Sequence, residues 1–340
     1  MASEYQAPRF CADCFKGTLR GDVEPQGTEE TIHGLPTYVA RPEPGREPAG
    51  VVVILPDACG WKLRNTRALA DAYAKRIPAV VLLPELMNGQ WRSLSAVSWC
   101  GFVGVDRKRT TMSRTLGYAL PESLLALTDR LQGEKSWFWK YFVIAPVAVA
   151  KIVRHFVPFL VATRSGVVVP RIGNFLRAVR LAPPAPLAQP SASSSASVDS
   201  ASAAQKTTKI GVAGFCWGGK YTVQLTQLGA GPFGPQPLVD CGHTAHPSFL
   251  SLPGDLEKAV LPLSVANGDD DMMMPKAKMA QAKELMGKKD NCEIVEYPGA
   301  KHGFAVRGDP NDQSQADLGR RAEDQAVGWF RRWFGQGAEE

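Results

Sequence analysis

The run Lys209-Ile210-Gly211-Val212-Ala213-Gly214-Phe215-Cys216-Trp217-Gly218-Gly219 narrows what this chain can fold into more than any other stretch. A short apolar strand leads into Gly-x-Cys-x-Gly-Gly, and a helical pattern follows through Leu228. A strand that turns directly into a helix around one thiol reads as a nucleophile elbow, with sulfur where serine is more usual. Such a turn holds its central residue in strained backbone geometry. Gly214 and Gly218 leave space where a Cβ would clash. The helix N-terminus directs its N–H groups and positive dipole end at the sulfur, which favours thiolate over thiol. The backbone N–H of Trp217 is then placed as an oxyanion donor.

An elbow of this kind calls for an acid and a histidine further along, in that order. Residues 261–266 read as a buried strand running into Asn267-Gly268-Asp269-Asp270-Asp271. Residues 292–297 alternate with period 2 and end in Pro298-Gly299-Ala300-Lys301-His302-Gly303-Phe304. Cys216, Asp271 and His302 therefore follow the α/β-hydrolase order. His302 would deprotonate the thiol and later protonate the leaving group, and Asp271 would hold the imidazole tautomer. Asp269 and Asp270 remain alternative acids. His246 lies past a further strand end, on the side where the site belongs, and is a candidate pocket residue.

Strands expected over 37–40, 51–55 and 79–83, and one beginning over 237–239, alternate with helices over 65–76, 121–132, 275–288 and 316–334. That pattern predicts a single α/β domain, with a mostly parallel sheet and helices on both faces. Residues 1–30 read as an extended N-terminal segment, and the domain as 31–334. The stretch 84–120 reads as a long loop region, in which Trp91 is a candidate pocket wall.

Around Cys216, His302 and the acid, the residues resemble the dienelactone hydrolase family. The marks are Gly-Phe-Cys-Trp-Gly-Gly, Asp271 four residues before Pro275, and Lys-His-Gly-Phe around His302. The resemblance covers most of 30–334, apart from an internal insertion. It implies an α/β-hydrolase fold and an enzyme that opens esters or lactones through a thiol nucleophile, with no metal or organic cofactor. It also implies an acidic residue after the early strand that contacts the resting cysteine. Asp57 falls there, one methylene shorter than the family's glutamate. The same loop would supply the second oxyanion N–H, from Ala58. The family's arginine for a substrate carboxylate has its counterpart in Arg307, one residue further along.

The insertion, residues 133–207, has two parts. Residues 182–207 are rich in Pro, Ala and Ser without periodicity, and read as a disordered linker. Residues 133–181 read as a basic amphipathic helical segment. Within 135–180 there are eight Lys/Arg and no acidic residue, while the whole chain carries 39 basic against 33 acidic residues. Three readings compete: a lid over the site, a peripheral contact with an anionic membrane surface, and an amphipathic pair of helices packed on the body. Lys151, Arg154 and His155 interrupt any membrane span. No recognised fold accompanies the charge, so nucleic acid is not an expected partner. The seven cysteines are scattered, and Cys11-x-x-Cys14 has no second pair to complete a zinc site. An active thiol without a disulfide framework, behind an N-terminus lacking a signal-peptide pattern, predicts a cytoplasmic enzyme of small esters or lactones. The rival expectations are a membrane-associated thioesterase or lipid esterase, and a non-catalytic binding protein on the same fold.

Overall fold

A computed structural model describes residues 24–87, 159–187, 208–307 and 313–336. Eight strands form one sheet in the order β1-β2-β4-β3-β5-β6-β7-β8. They are β1 Thr28–Ile32, β2 Leu35–Ala40, β3 Gly50–Leu55, β4 Val80–Pro84, β5 Lys209–Phe215, β6 Cys241–Ala245, β7 Leu263–Asp270 and β8 Cys292–Lys301. β1 pairs antiparallel with β2, and β2 antiparallel with β4; every other pairing is parallel. This is an α/β-hydrolase-type sheet. The helices are α1 Arg64–Arg76, α2 Ser165–Leu181, α3 Trp217–Leu225, α4 Gly254–Glu257, α5 Lys276–Met286 and α6 Gln313–Trp333.

The central strands are apolar throughout because both sheet faces are covered. In β3, Val52 and Ile54 face a core shared with Leu69, Tyr73, Phe330 and Phe334 of α1, α6 and the residue just after α6. Val51, Val53 and Leu55 face the other core, with Ile172 and Leu176 of α2 and Tyr221 of α3. Gly211 of β5 admits the α6 aromatics, since a Cβ there would lie 2.6 Å from Phe330. Phe330 is fully buried, and truncating such a ring to alanine costs about 3–5 kcal/mol.

Three expectations shift. The sheet already begins at Thr28, inside the segment read as an extended lead-in. His33 and Gly34, both at positive φ (47° and 79°), close a two-residue hairpin that adds β1 to the edge. Residues 237–239 are not strand; β6 starts at Cys241, because Asp240 caps β5 through Ile210 N–H at 2.7 Å. Residues 165–181, assigned from sequence to the basic insertion, form α2, and its apolar side is part of the main core. Its arginines sit at the margin: Arg171 donates to the Glu85 carbonyl at 3.2 Å, and Arg180 pairs with Asp240 at 3.1 Å. The rest of the basic stretch, the linker from 188 to 207, the helix expected over 121–132, Trp91 and Cys11-x-x-Cys14 lie outside the described residues. No described helix is long and apolar enough to cross a membrane.

Candidate active site

The parallel strands β3, β5, β6, β7 and β8 end at one sheet edge, and the candidate residues lie on the turns just beyond them, where α/β sheets hold their ligands. After β5 the chain turns at Cys216 with φ 50° and ψ −111°, and α3 starts at the next residue. Three glycines make this turn sterically feasible. A Cβ on Gly214 would meet Thr222 Oγ1 at 2.1 Å, one on Gly218 the Leu55 carbonyl at 2.1 Å, and one on Gly219 Thr244 Oγ1 at 2.5 Å. A side chain at any of the three would push the elbow off its neighbours. Cys216 is buried in one apolar cluster with Ala58 and Trp217, so the two expected oxyanion donors flank the thiol. Trp217 opens α3, so its N–H has no partner within the helix.

The β7–β8 pairing decides which acid meets His302. It runs in register from Leu263↔Cys292 to Gly268↔Tyr297, then slips so that Asp270 pairs with Lys301. The next residues on the two strands are Asp271 and His302. His302 Nδ1 lies 2.9 Å from each Asp271 carboxylate oxygen. The other two candidates are elsewhere: Asp269 accepts from Gly299 N–H at 2.7 Å, and Asp270 is exposed. Asp271 Oδ1 is further fixed by the Met273 N–H at 2.8 Å.

His302 is almost wholly buried, which alone would favour its neutral form. The thiolate charge of Cys216, the Asp271 hydrogen bond and a hydrogen bond to Cys216 outweigh that, and its pKa stands well above the ordinary value.

His246, at φ 40°, is fully buried, and its ring packs edge-on against that of His302 at 5.0 Å between centroids. Phe215 and Phe304 hold its other sides. Among the described residues neither ring nitrogen has a hydrogen-bond partner. Burial, then the positive charge of His302, drives its pKa well down, so it is a neutral wall beside the His302 imidazole.

Asp57 and Arg307 meet each other. They form a buried ion pair, and the second Asp57 oxygen accepts from Cys59 N–H at 2.8 Å. The acid expected beside the cysteine and the arginine expected on substrate are thus joined across the site.

Sequence reasoning missed Ser248. Its hydroxyl lies 3.3 Å from Cys216 Sγ and 3.4 Å from His302 Nε2. The one available signal was its place two residues past His246, beyond the end of β6. Among the described residues no group of three or more His, Cys, Asp or Glu is arranged to hold a metal ion.

Comparison with known proteins places this geometry. The chain is 35% identical to Hydrolase tropI of Talaromyces stipitatus over 127 residues, covering 37% of this chain and 46% of that protein. It thus spans about half the length of that curated relative. It is 24% identical to Dienlactone hydrolase 1 of Gibberella moniliformis over 301 residues, 86% of this chain and 82% of the relative. The solved dienelactone hydrolase of Anabaena variabilis aligns at 11% identity and TM-score 0.45, covering 90% of this chain and 99% of that one. Residues 187–334, which hold Cys216, Asp271 and His302, match the model of the dienelactone hydrolase family.

Proposed function

We propose that this protein hydrolyses a small-molecule ester or lactone through an acyl-enzyme on Cys216. The Cys216 thiolate attacks the carbonyl, and the N–H groups of Ala58 and Trp217 hold the oxyanion. His302 gives its proton to the departing alkoxide. It then takes a proton from water, which attacks the thioester and releases the acid. Asp271 keeps Nδ1–H pointed at itself, so that Nε2 serves the reaction. His246 walls the imidazole, and Asp57 and Arg307 brace the loop that carries Ala58. The observation that carries the reading is the buried line of Cys216, His302 and Asp271, with the 2.9 Å carboxylate contact and an imidazolium favoured by the thiolate. The match of residues 187–334 to the dienelactone hydrolase family model and the hydrolase names of the relatives support it.

A panel of lactones, aryl esters and acyl thioesters, assayed with wild type and Cys216→Ala, tests the proposal. The variant should lose ~10⁶-fold in turnover on whichever compounds the wild type cleaves. Wild-type turnover by Cys216→Ala would remove the thiol from the reaction. Cytoplasmic placement and contact of residues 135–180 with an anionic membrane surface belong to the same proposal as lesser parts. Co-sedimentation with anionic liposomes, lost at high salt, supports that contact; a protein that stays in the supernatant ends it.

A further inference from the structure

We propose that Ser248 is a further catalytic residue, whose hydroxyl bridges the Cys216 thiolate and the His302 imidazolium and relays the proton between them. This rests on the thiolate reading above and adds a group to it. The two atoms that Ser248 Oγ approaches, Sγ at 3.3 Å and Nε2 at 3.4 Å, are also hydrogen-bonded to each other, so the hydroxyl closes a second path between the two ends of the proton transfer. A hydroxyl offers one donor and two acceptor sites. It can therefore donate to the sulfur and accept from Nε2–H at once. Ser248 is fully buried, so bulk water does not compete for those positions.

The backbone holds the hydroxyl there. Ser248 N–H donates to the Cys216 carbonyl at 2.9 Å, and His246 N–H to the Ala266 carbonyl at 2.8 Å. Pro247 lies against the elbow, where a Cβ on Gly219 would come within 2.8 Å of it. His246 and Phe249, on either side, both have positive φ, 40° and 60°. Such conformations in non-glycine residues persist only where the surroundings enforce them, and they cluster at functional sites.

The step balances without any co-reactant. As the Nε2–H proton passes to Oγ, the proton already on Oγ passes to Sγ. One N–H and one O–H bond break, one O–H and one S–H bond form, and the ion pair becomes neutral imidazole and thiol. The reverse regenerates the nucleophile, and the serine is unchanged either way. The other ionisable groups around this pair are Asp271 behind His302, His246 against its ring, and Arg307 paired with Asp57. Substituting Ser248 alters the charge of none of them.

The test is the pH dependence of Cys216 alkylation by iodoacetamide, read by mass on the peptide containing Cys216, so that the other thiols do not interfere. Full-length wild type, Ser248→Ala and the isosteric pair Ser248→Thr and Ser248→Val are compared, with melting curves to establish folding. Wild type should show a midpoint below the ~8.5 of a free thiol. Ser248→Ala and Ser248→Val should move it up by about one pH unit, a roughly tenfold loss of thiolate, while Ser248→Thr stays with wild type. A wild-type midpoint in the Ala and Val variants, or a Thr variant that follows Val, overturns the role of Ser248 alone. An ordinary thiol midpoint in wild type overturns the thiolate reading, and this inference with it. If Ser248→Ala fails to fold, the Thr–Val comparison decides.

Discussion

Strands β5–β8 deliver Cys216, Ser248, Asp271 and His302 to the site edge, whereas β1–β4 of the same sheet deliver only the loop carrying Asp57 and Ala58. Burial does not distinguish the halves, since β3 and β4 are as deeply covered as β5 and β6. Backbone irregularity at the thiol does. Beyond β5 and β6 lie Cys216, His246 and Phe249 at positive φ, and between β7 and β8 the register slips. Each of these coincides with a side chain brought to the thiol or next to it. The first half has positive-φ non-glycine residues too, but at His33 in the β1–β2 hairpin and at Pro78 before β4. It lends the second an electrostatic tie, the Asp57–Arg307 pair, made across a sequence separation of 250. The groups around the thiol sit where the backbone is strained, as strained conformations tend to at functional sites.

The division breaks most sharply on two of its buried thiols, Cys59 in the first half and Cys216 in the second. Cys216→Ala should lower turnover by ~10⁶-fold. Cys59→Ala, which keeps the backbone N–H that holds Asp57, should change it by less than about threefold. A comparable loss from both would mean that the chemistry is shared between the halves. The tie between them is the next test. Asp57→Ala removes the carboxylate paired with the buried Arg307 charge, and should cost about 3–5 kcal/mol in urea unfolding. Asp57→Ala combined with Arg307→Leu should recover part of that. No recovery would mean that Asp57 acts through the Cys59 N–H and not through the ion pair.

The smallest effect concerns pH. Burial brings the His243 pKa down to about 3 and that of His246 well below the ordinary 6.5. The unfolded chain protonates these imidazoles below pH ~6.5 and the folded one does not. The stability they allow is therefore complete above ~6.5 and is lost as pH falls toward about 3. His302 has the opposite sign: its contribution is complete below 6.5 and disappears as pH rises through its elevated folded value. Melting temperature should drop between pH 7 and 5, before carboxylates titrate, and His243→Gln should flatten that drop. An unchanged slope in the variant would show that His243 does not carry it.

The parts of the site legible in the sequence were those written in local patterns. The elbow glycines, the thiol and a histidine past a strand end are short-range features with a direct steric or chemical reason. The choice among Asp269, Asp270 and Asp271 was not readable, because it depends on a register slip between two strands. Ser248 belongs to no pattern; its approach to the sulfur arises from backbone bonds between turns far apart in the chain. The pairing of Asp57 with Arg307 was hidden for the same reason, although each residue stood out alone. In α2 the high basic content drew attention away from Val168, Ile172, Phe175, Leu176 and Val179, whose spacing is that of an ordinary core helix.

The slip between β7 and β8 also sets what the stretch 298–301 can tolerate. Adding or deleting a single residue there would turn the imidazole that follows to the opposite side of the sheet, because side chains alternate along a strand. This segment can therefore drift in amino-acid identity far more freely than in length.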